Sequence, residues 1–176
     1  KLAEKELVNY KKYKGVSLTE FGQKIALSIV RKHRIWEVFL VEKLDFSWDE
    51  VHEVAEQLEH IKSEQLIDKL DKHLGYPKTD PHGDPIPTKD GKFTKSVKRL
   101  LSEAAVGSEG VCVGVKDSSA AFLKFLDKNK IALGDRFRIM DKEEFDGSVQ
   151  LKTPHGVLRI SDQIASNLYL EITEKN

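Results

Sequence analysis

The sequence predicts an α+β chain: a short N-terminal hairpin, an all-α segment, and a small C-terminal β-barrel. Three observations predict it. Apolar residues recur at helical spacing between Glu20 and about Ile61. The stretch YPKTDPHGDPIP, residues 76–87, packs four prolines and a glycine into twelve residues, which excludes helix or central strand. Beyond about Glu103 the pattern changes to short alternating runs separated by turn residues.

Taken in order, KLAEKELVNY opens like the end of a helix and the start of a strand, so further residues are expected upstream. LVNY and VSLT are β-prone runs joined by KKYKG, whose glycine tolerates a positive φ. Thr19 is placed to cap a helix from Glu20 to about Lys43, in which Ile25, Ile29, Trp36, Phe39 and Leu40 fit an amphipathic pattern. LDFSWDE breaks it. Ser47 then caps a second helix to about Ile61, with Asp49 and Glu50 in its first turn. SEQLIDKLDKHLG is a third helix, with Ser63 as cap and Gly75 as stop. After the proline-rich boundary, residues 88–102 read as a basic linker. GVCVGV, RFRIMD, SVQLKT, VLRI and LYLEIT then supply five strands, interrupted by a helix at about Ser119–Asn129. Five short strands in this space suggest a small barrel.

The composition suits a globular chain with long charged helices, at 39% apolar and 33% charged residues. A formal net charge of zero hides strong patterning. Residues 1–34 hold nine Lys/Arg against three Asp/Glu, whereas residues 35–90 hold six against fourteen. A basic head before an acidic middle suggests contact with a polyanion followed by a region that favours cations. The single cysteine, Cys112, excludes an internal disulfide and fits a reducing compartment. No apolar run approaches the roughly eighteen residues of a membrane span. A cytoplasmic location is therefore expected, with no membrane partner.

The chemistry concentrates in VHEVAEQLEH, residues 51–60. At about 100° per residue, His52, Glu56, Glu59 and His60 fall within an arc of roughly 100°. Val51, Val54, Ala55, Leu58 and Ile61 take the opposite arc. His33 and Glu37 in RKHRIWE stand at i and i+4, a spacing that lets both reach one ion. A solvated polar face has the same spacing. If the two helices face one another, however, six nitrogen- or oxygen-bearing side chains meet, and clustered carboxylates are costly without a cation. Imidazole with carboxylate and no thiolate suits Mn²⁺ or Fe²⁺ better than structural Zn²⁺. At the hairpin tip, Lys11, Lys12 and Lys14 surround Tyr13, an arrangement that could touch nucleic-acid phosphates or merely keep a turn soluble.

The combination LVNYKKYKGVSLTEFG, RKHRIWEVFLVEKL, VHEVAEQLEHI and DPHGDPIP resembles the diphtheria toxin repressor and manganese transport regulator family. The resemblance covers residues 1 to about 87 closely, and the barrel resembles the SH3-like, FeoA-like domain of longer members. It implies a metal-dependent repressor that controls metal uptake genes, binds double-stranded operator DNA as a homodimer and senses Mn²⁺ or Fe²⁺. Zn²⁺, Co²⁺ or Ni²⁺ would substitute in vitro. It divides the chain into the wing of a winged helix-turn-helix (1–18), a helical metal-binding and dimerisation domain (19–87), a linker (88–102) and the barrel (103–176). It implies an ancillary site at His33, Glu37 and His52, and an activating site at Glu56, Glu59 and His60. It places Lys11, Lys12, Tyr13 and Lys14 on DNA. Glu56 stands where one branch has cysteine and the manganese regulators have glutamate, which favours a harder ion; His52 matches the iron-responsive branch. It further implies that the activating site draws ligands from the family's first helix, expected upstream of this sequence together with most of the helix-turn-helix.

Two other classes stay open on the residues alone. A metallohydrolase could use the His/Glu cluster, since HEVAE approaches the zincin pattern with Glu in place of its second His. A metal-independent dimerisation module would carry the same residues as surface. The proline-rich segment is itself a candidate to dock on the barrel.

Overall fold

The computed structural model describes residues 1–11, 13, 15–94 and 97–172. Its chain divides into two compact units. The first is Lys1–Ser47, Val51–Asp80 and Pro85–Thr94; the second is Trp48–Glu50, Pro81–Asp84 and the chain beyond Thr94.

In the first unit, β1 (Val8–Lys11) and β2 (Gly15–Leu18) form an antiparallel hairpin with Lys11 opposite Gly15. The helix end expected before it is a run of turns over residues 2–6. Helix α1 (Glu20–Leu44) starts as its sequence dictates: the Thr19 hydroxyl accepts from the Gly22 N–H at 2.9 Å and donates to the Glu6 carbonyl at 2.6 Å. Gly22 is required there, because a Cβ would lie 1.9 Å from the Leu7 carbonyl oxygen. The helix ends at Asp45, which adopts the left-handed conformation.

Helix α2 (Val51–Leu58) is shorter than its apolar pattern suggests, ending before Ile61, and α3 (Glu64–His73) begins under a Ser63 cap. Ile35, Trp36, Val38 and Leu40 of α1 pack with Val51 and Ala55 of α2 and Ile67 and Leu70 of α3. Each of the Ile, Val and Leu side chains, fully buried, contributes about 1.5–3 kcal/mol. Arg31 pins the far side. One guanidinium nitrogen meets Asp71 of α3 at 2.6 Å, and another donates to the Pro87 carbonyl at 2.8 Å. Arg34 pairs with Asp80 and donates to the Pro85 carbonyl, so α1 organises the proline-rich segment.

In the second unit six strands form one antiparallel sheet, β3 (Arg99–Leu100), β4 (Glu109–Val115), β5 (Arg136–Lys142), β6 (Val149–Thr153), β7 (Gly156–Ile160) and β8 (Leu168–Ile172). Their order is β3-β8-β4-β5-β6-β7. Helices α4 (Ala120–Lys128) and α5 (Asp162–Ala165) complete it. The core holds Leu101, Cys112, Leu123, Phe137, Leu151 and Leu170, among others. The linker expected over 88–102 is therefore cut short: Arg99 and Leu100 pair with β8, and Leu101 is fully buried. A two-residue strand is too short to show alternation, which is why the sequence suggested five strands rather than six.

Two short segments from the helical half of the sequence belong to this unit. The Trp48 indole donates to Asp127 of α4 at 3.1 Å and its ring stacks on His82, 11° from parallel. His82 bonds to the Trp48 carbonyl at 2.8 Å, and its own carbonyl accepts from Val115 of β4 at 2.9 Å. Gly83 lies so close to β4 that a Cβ would sit 2.0 Å from the Val113 carbonyl oxygen. Residues 81–84 thus dock on the barrel by backbone. Among the described residues, no helix is long and apolar enough to cross a membrane.

Candidate metal centre

The helical unit brings four of the six expected metal-ligating side chains together. His33 and Glu37 lie one turn apart on α1, and His52 is the second residue of α2. His33 Nε2 is 3.0 Å from Glu37 Oε1 and 3.0 Å from His52 Nδ1, and the latter two atoms are 3.2 Å apart. On the other edge of the imidazole, His33 Nδ1 is 2.7 Å from Glu59 Oε2. Glu59 follows the end of α2, and its N–H still bonds the Ala55 carbonyl at 2.9 Å. The helical hydrogen-bond path thus carries Glu59 far enough to reach His33.

Burial raises the electrostatic stakes. Glu37 is 2% exposed, whereas His52 lies largely in solvent. A buried carboxylate needs a compensating positive group. Burial alone would pull the His33 pKa down, but hydrogen bonds and charge from Glu37 and then Glu59 outweigh it, leaving it above the ordinary 6.5. If Nδ1–H donates to Glu59, then Nε2 faces the Glu37 oxygen and His52 Nδ1 with a lone pair. With His52 Nδ1 also unprotonated, three acceptors lie within 3.2 Å of one another and repel unless a proton or a cation stands among them.

The donor set fits a divalent cation. For bonds of about 2.1–2.2 Å, neighbouring octahedral ligands stand about 3.0 Å apart, as this triangle does. Two imidazoles and one carboxylate on one face leave the remaining positions open, a pattern suited to Fe²⁺ and similar ions. Glu59 supplies the feature that metal-bound histidines usually have, a carboxylate accepting from the other ring nitrogen. Its contact with His33 spans 26 residues, and only the packing of α2 against α1 reveals it.

The other expected residues stand apart. Glu56 and His60 are exposed and make no hydrogen bond or ion pair with the triangle among the described residues. His60 lies past the end of α2, so the four-residue helical strip does not persist. At the hairpin, Lys11 is exposed on β1. Tyr13 is 92% exposed with a φ of 64°. Lys12 and Lys14 lie outside the described residues.

Comparison with known proteins follows the same division. Residues 19–88 match the model of the iron dependent repressor metal binding and dimerisation domain, and residues 99–172 match the FeoA domain. A solved manganese-dependent transcriptional repressor in complex with manganese aligns over 98% of this chain and 80% of its own, at 35% identity and a TM-score of 0.87. The manganese regulator SloR aligns over the same shares at 33% identity and 0.81. The iron-dependent repressor IdeR of Mycobacterium tuberculosis is 43% identical over 72 residues, which is 41% of this chain and 31% of that protein. A probable metal transport system membrane protein of Chlamydia trachomatis is 41% identical over 91 residues, 52% of this chain and 20% of that protein. The match therefore spans about a third or less of either curated relative.

A helical metal-binding and dimerisation domain followed by an FeoA domain, with a His/Glu cluster on the helices, is the domain pair of a family of metal-dependent repressors rather than of enzymes. The chain belongs to the diphtheria toxin repressor family, which includes the iron-dependent repressor IdeR and the manganese-dependent repressors.

Proposed function

We propose that this chain is the metal-sensing portion of a cytoplasmic, homodimeric repressor that responds to Mn²⁺ or Fe²⁺ and controls metal uptake genes. The observation that carries the reading is the triangle of His33 Nε2, Glu37 Oε1 and His52 Nδ1, with edges of 3.0–3.2 Å. These three residues hold the ancillary ion. Glu59 orients His33 and, with Glu56 and His60, contributes to the activating site, whose other ligands come from a helix preceding this sequence. Manganese is favoured by Glu56 as a hard ligand and by the manganese-dependent relatives. Iron is favoured by His52 and by the kinship to IdeR.

A bound dication would supply positive charge at the seam between α1 and α2 in place of the proton that His33 takes up without it. The chain's own residues do the rest. His33 and Glu37 fix the α1 side, His52 fixes the start of α2, and the apolar stripe of α2 holds both in register. Metal shifts the regulator only by its differential affinity for two arrangements of the dimer. Dimer geometry in turn sets half-site separation on operator DNA. Lys11, Lys12, Tyr13 and Lys14 are the wing residues that meet phosphate and groove.

The test is anaerobic titration of Mn²⁺, Fe²⁺ and Zn²⁺ into the native chain and into His33→Ala and His52→Ala variants. Equal affinities in all three proteins would remove the ancillary-site assignment. In the intact repressor, operator binding that stays metal-dependent after Glu59→Ala and His60→Ala would remove the activating-site assignment.

A second reading rests on the two chlamydial relatives described as probable metal transport system membrane proteins, the other being 49% identical over 72 residues. Here the same triangle reads the ion a transporter moves and governs transport instead of transcription. Metal-dependent transport that is lost in His33→Ala, with no metal-dependent DNA binding, would favour it.

A further inference from the structure

The barrel carries a cavity remote in sequence from the metal triangle. Its volume is about 320 Å³, and its lining includes Glu109, Arg136, Phe137, Arg138, Lys152 and Pro154. Arg136 and Arg138 alternate with buried Phe137 along β5, so both guanidinium groups share the outer face. The register sets Lys152 of β6 directly opposite Arg138, with Glu109 of β4 on its other side. Glu109 lies 3.7 Å from Arg138 Nε. Among the described residues, Arg136 and Lys152 have no carboxylate partner. Like charges directly opposite on paired strands destabilise the pair, so the sheet gains when an anion enters. Exposed Pro154 makes part of the lining apolar, while the Phe137 side chain turns into the core; such a lining suits a ligand with both an acidic and an apolar group.

The opposite end of the same hairpin presents that chemistry. β5 and β6 are joined through Glu143, Glu144, Phe145, Asp146, Gly147 and Ser148. Phe145 is 96% exposed, the most exposed large apolar side chain among the described residues. Its backbone is held in place: the Gly147 N–H donates to the Glu143 carbonyl at 2.9 Å, and Asp146 accepts from the Ser148 N–H at 2.8 Å. Among the described residues Glu144 has no ion-pair partner. The tip is thus a fixed acidic and aromatic knob. The seven residues of β5, at about 3.3 Å each, set the knob roughly 20 Å from the Arg136 end. A barrel's knob therefore cannot fill its own cavity.

We infer that the Glu144–Phe145 knob of one copy seats in the Arg136, Arg138 and Lys152 cavity of a second copy. The Glu144 carboxylate meets the unpaired cations, and the Phe145 ring lies against Pro154. The contact is heterologous, because each copy offers one knob and one cavity on different surfaces, and it propagates head to tail unless the rotation closes a ring. It uses none of the residues of the helical dimerisation domain, so it adds to whatever association that domain makes. Being ionic at its centre, it weakens as salt rises.

A charge swap tests it. The native chain, Glu144→Lys and Lys152→Glu are each followed by sedimentation velocity over a wide concentration range, at low and high salt. Circular dichroism verifies the fold of these surface variants. The native chain should form larger species at high concentration and low salt. Each single variant should lose about tenfold or more of that association, since like charges then face one another. An equimolar mixture of the two variants should recover part of it, because the unaltered knob of Lys152→Glu fits the unaltered cavity of Glu144→Lys. Phe145→Ser should weaken association without changing its salt dependence. Identical masses for the native chain and both variants would overturn the proposal. So would a mixture that fails to recover, or a cavity that binds a Glu-Phe peptide while the native chain stays unassociated.

Discussion

Glu59→Ala isolates the part of the metal centre that only the fold reveals. Glu59 stands outside the triangle but accepts from the far nitrogen of His33 at 2.7 Å, fixing both the tautomer and the ring orientation. Removing such a supporting carboxylate typically weakens metal affinity by about 10–100-fold, or about 1.4–2.7 kcal/mol. The change also shows in stability. At a free metal concentration of about 100 times the native Kd, binding stabilises the native protein by about 2.7 kcal/mol. The same concentration would stabilise the variant by about 1.4 kcal/mol after a tenfold loss and about 0.4 kcal/mol after a hundredfold loss. Anaerobic calorimetric titration with Mn²⁺ gives the affinity, and thermal melts with and without metal give the stabilisation. An unchanged Kd in a correctly folded variant would refute the role of the carboxylate behind His33. A loss far beyond this range would instead mean that Glu59 binds the ion itself.

Further outcomes follow from the same geometry. The raised His33 pKa contributes apo-state stability that is fully present below the unfolded value near 6.5 and lost as pH rises through the higher folded value. Metal requires the unprotonated nitrogen, so affinity rises with pH across that window; titration in buffers of different ionisation enthalpy should reveal proton release, and its absence would contradict the assignment. Burial pushes the Cys112 thiol up to about 12, so the folded protein should resist alkylation at mild alkaline pH and react only on denaturation, as thiol quantification would show. Leu101→Ala should destabilise the barrel by about 2–5 kcal/mol in urea unfolding, whereas a residue in a free linker would change it by less than about 0.5 kcal/mol.

Much of this fold was legible because its signals are local. Thr19 and Ser63 announce their helices by capping chemistry, and β5 announces itself by strict alternation. The His33–Glu37 spacing was legible for the same reason, being one turn of one helix. What escaped depended on contacts distant in sequence. The end of α2 at Leu58, which leaves His60 outside the cluster, could not be read from an apolar pattern that continues to Ile61. The pairing of Arg99 and Leu100 with β8 joins residues about seventy positions apart. Likewise Trp48 read as the start of the second helix and His82 as part of the proline-rich boundary, and nothing in their neighbours' composition says that they stack on one another.

The chain passes between its two units five times, at residues 47/48, 50/51, 80/81, 84/85 and 94/95. No single scission can release either one whole. A fragment beginning after Thr94 would leave behind the indole held by Asp127 and the loop laid along β4.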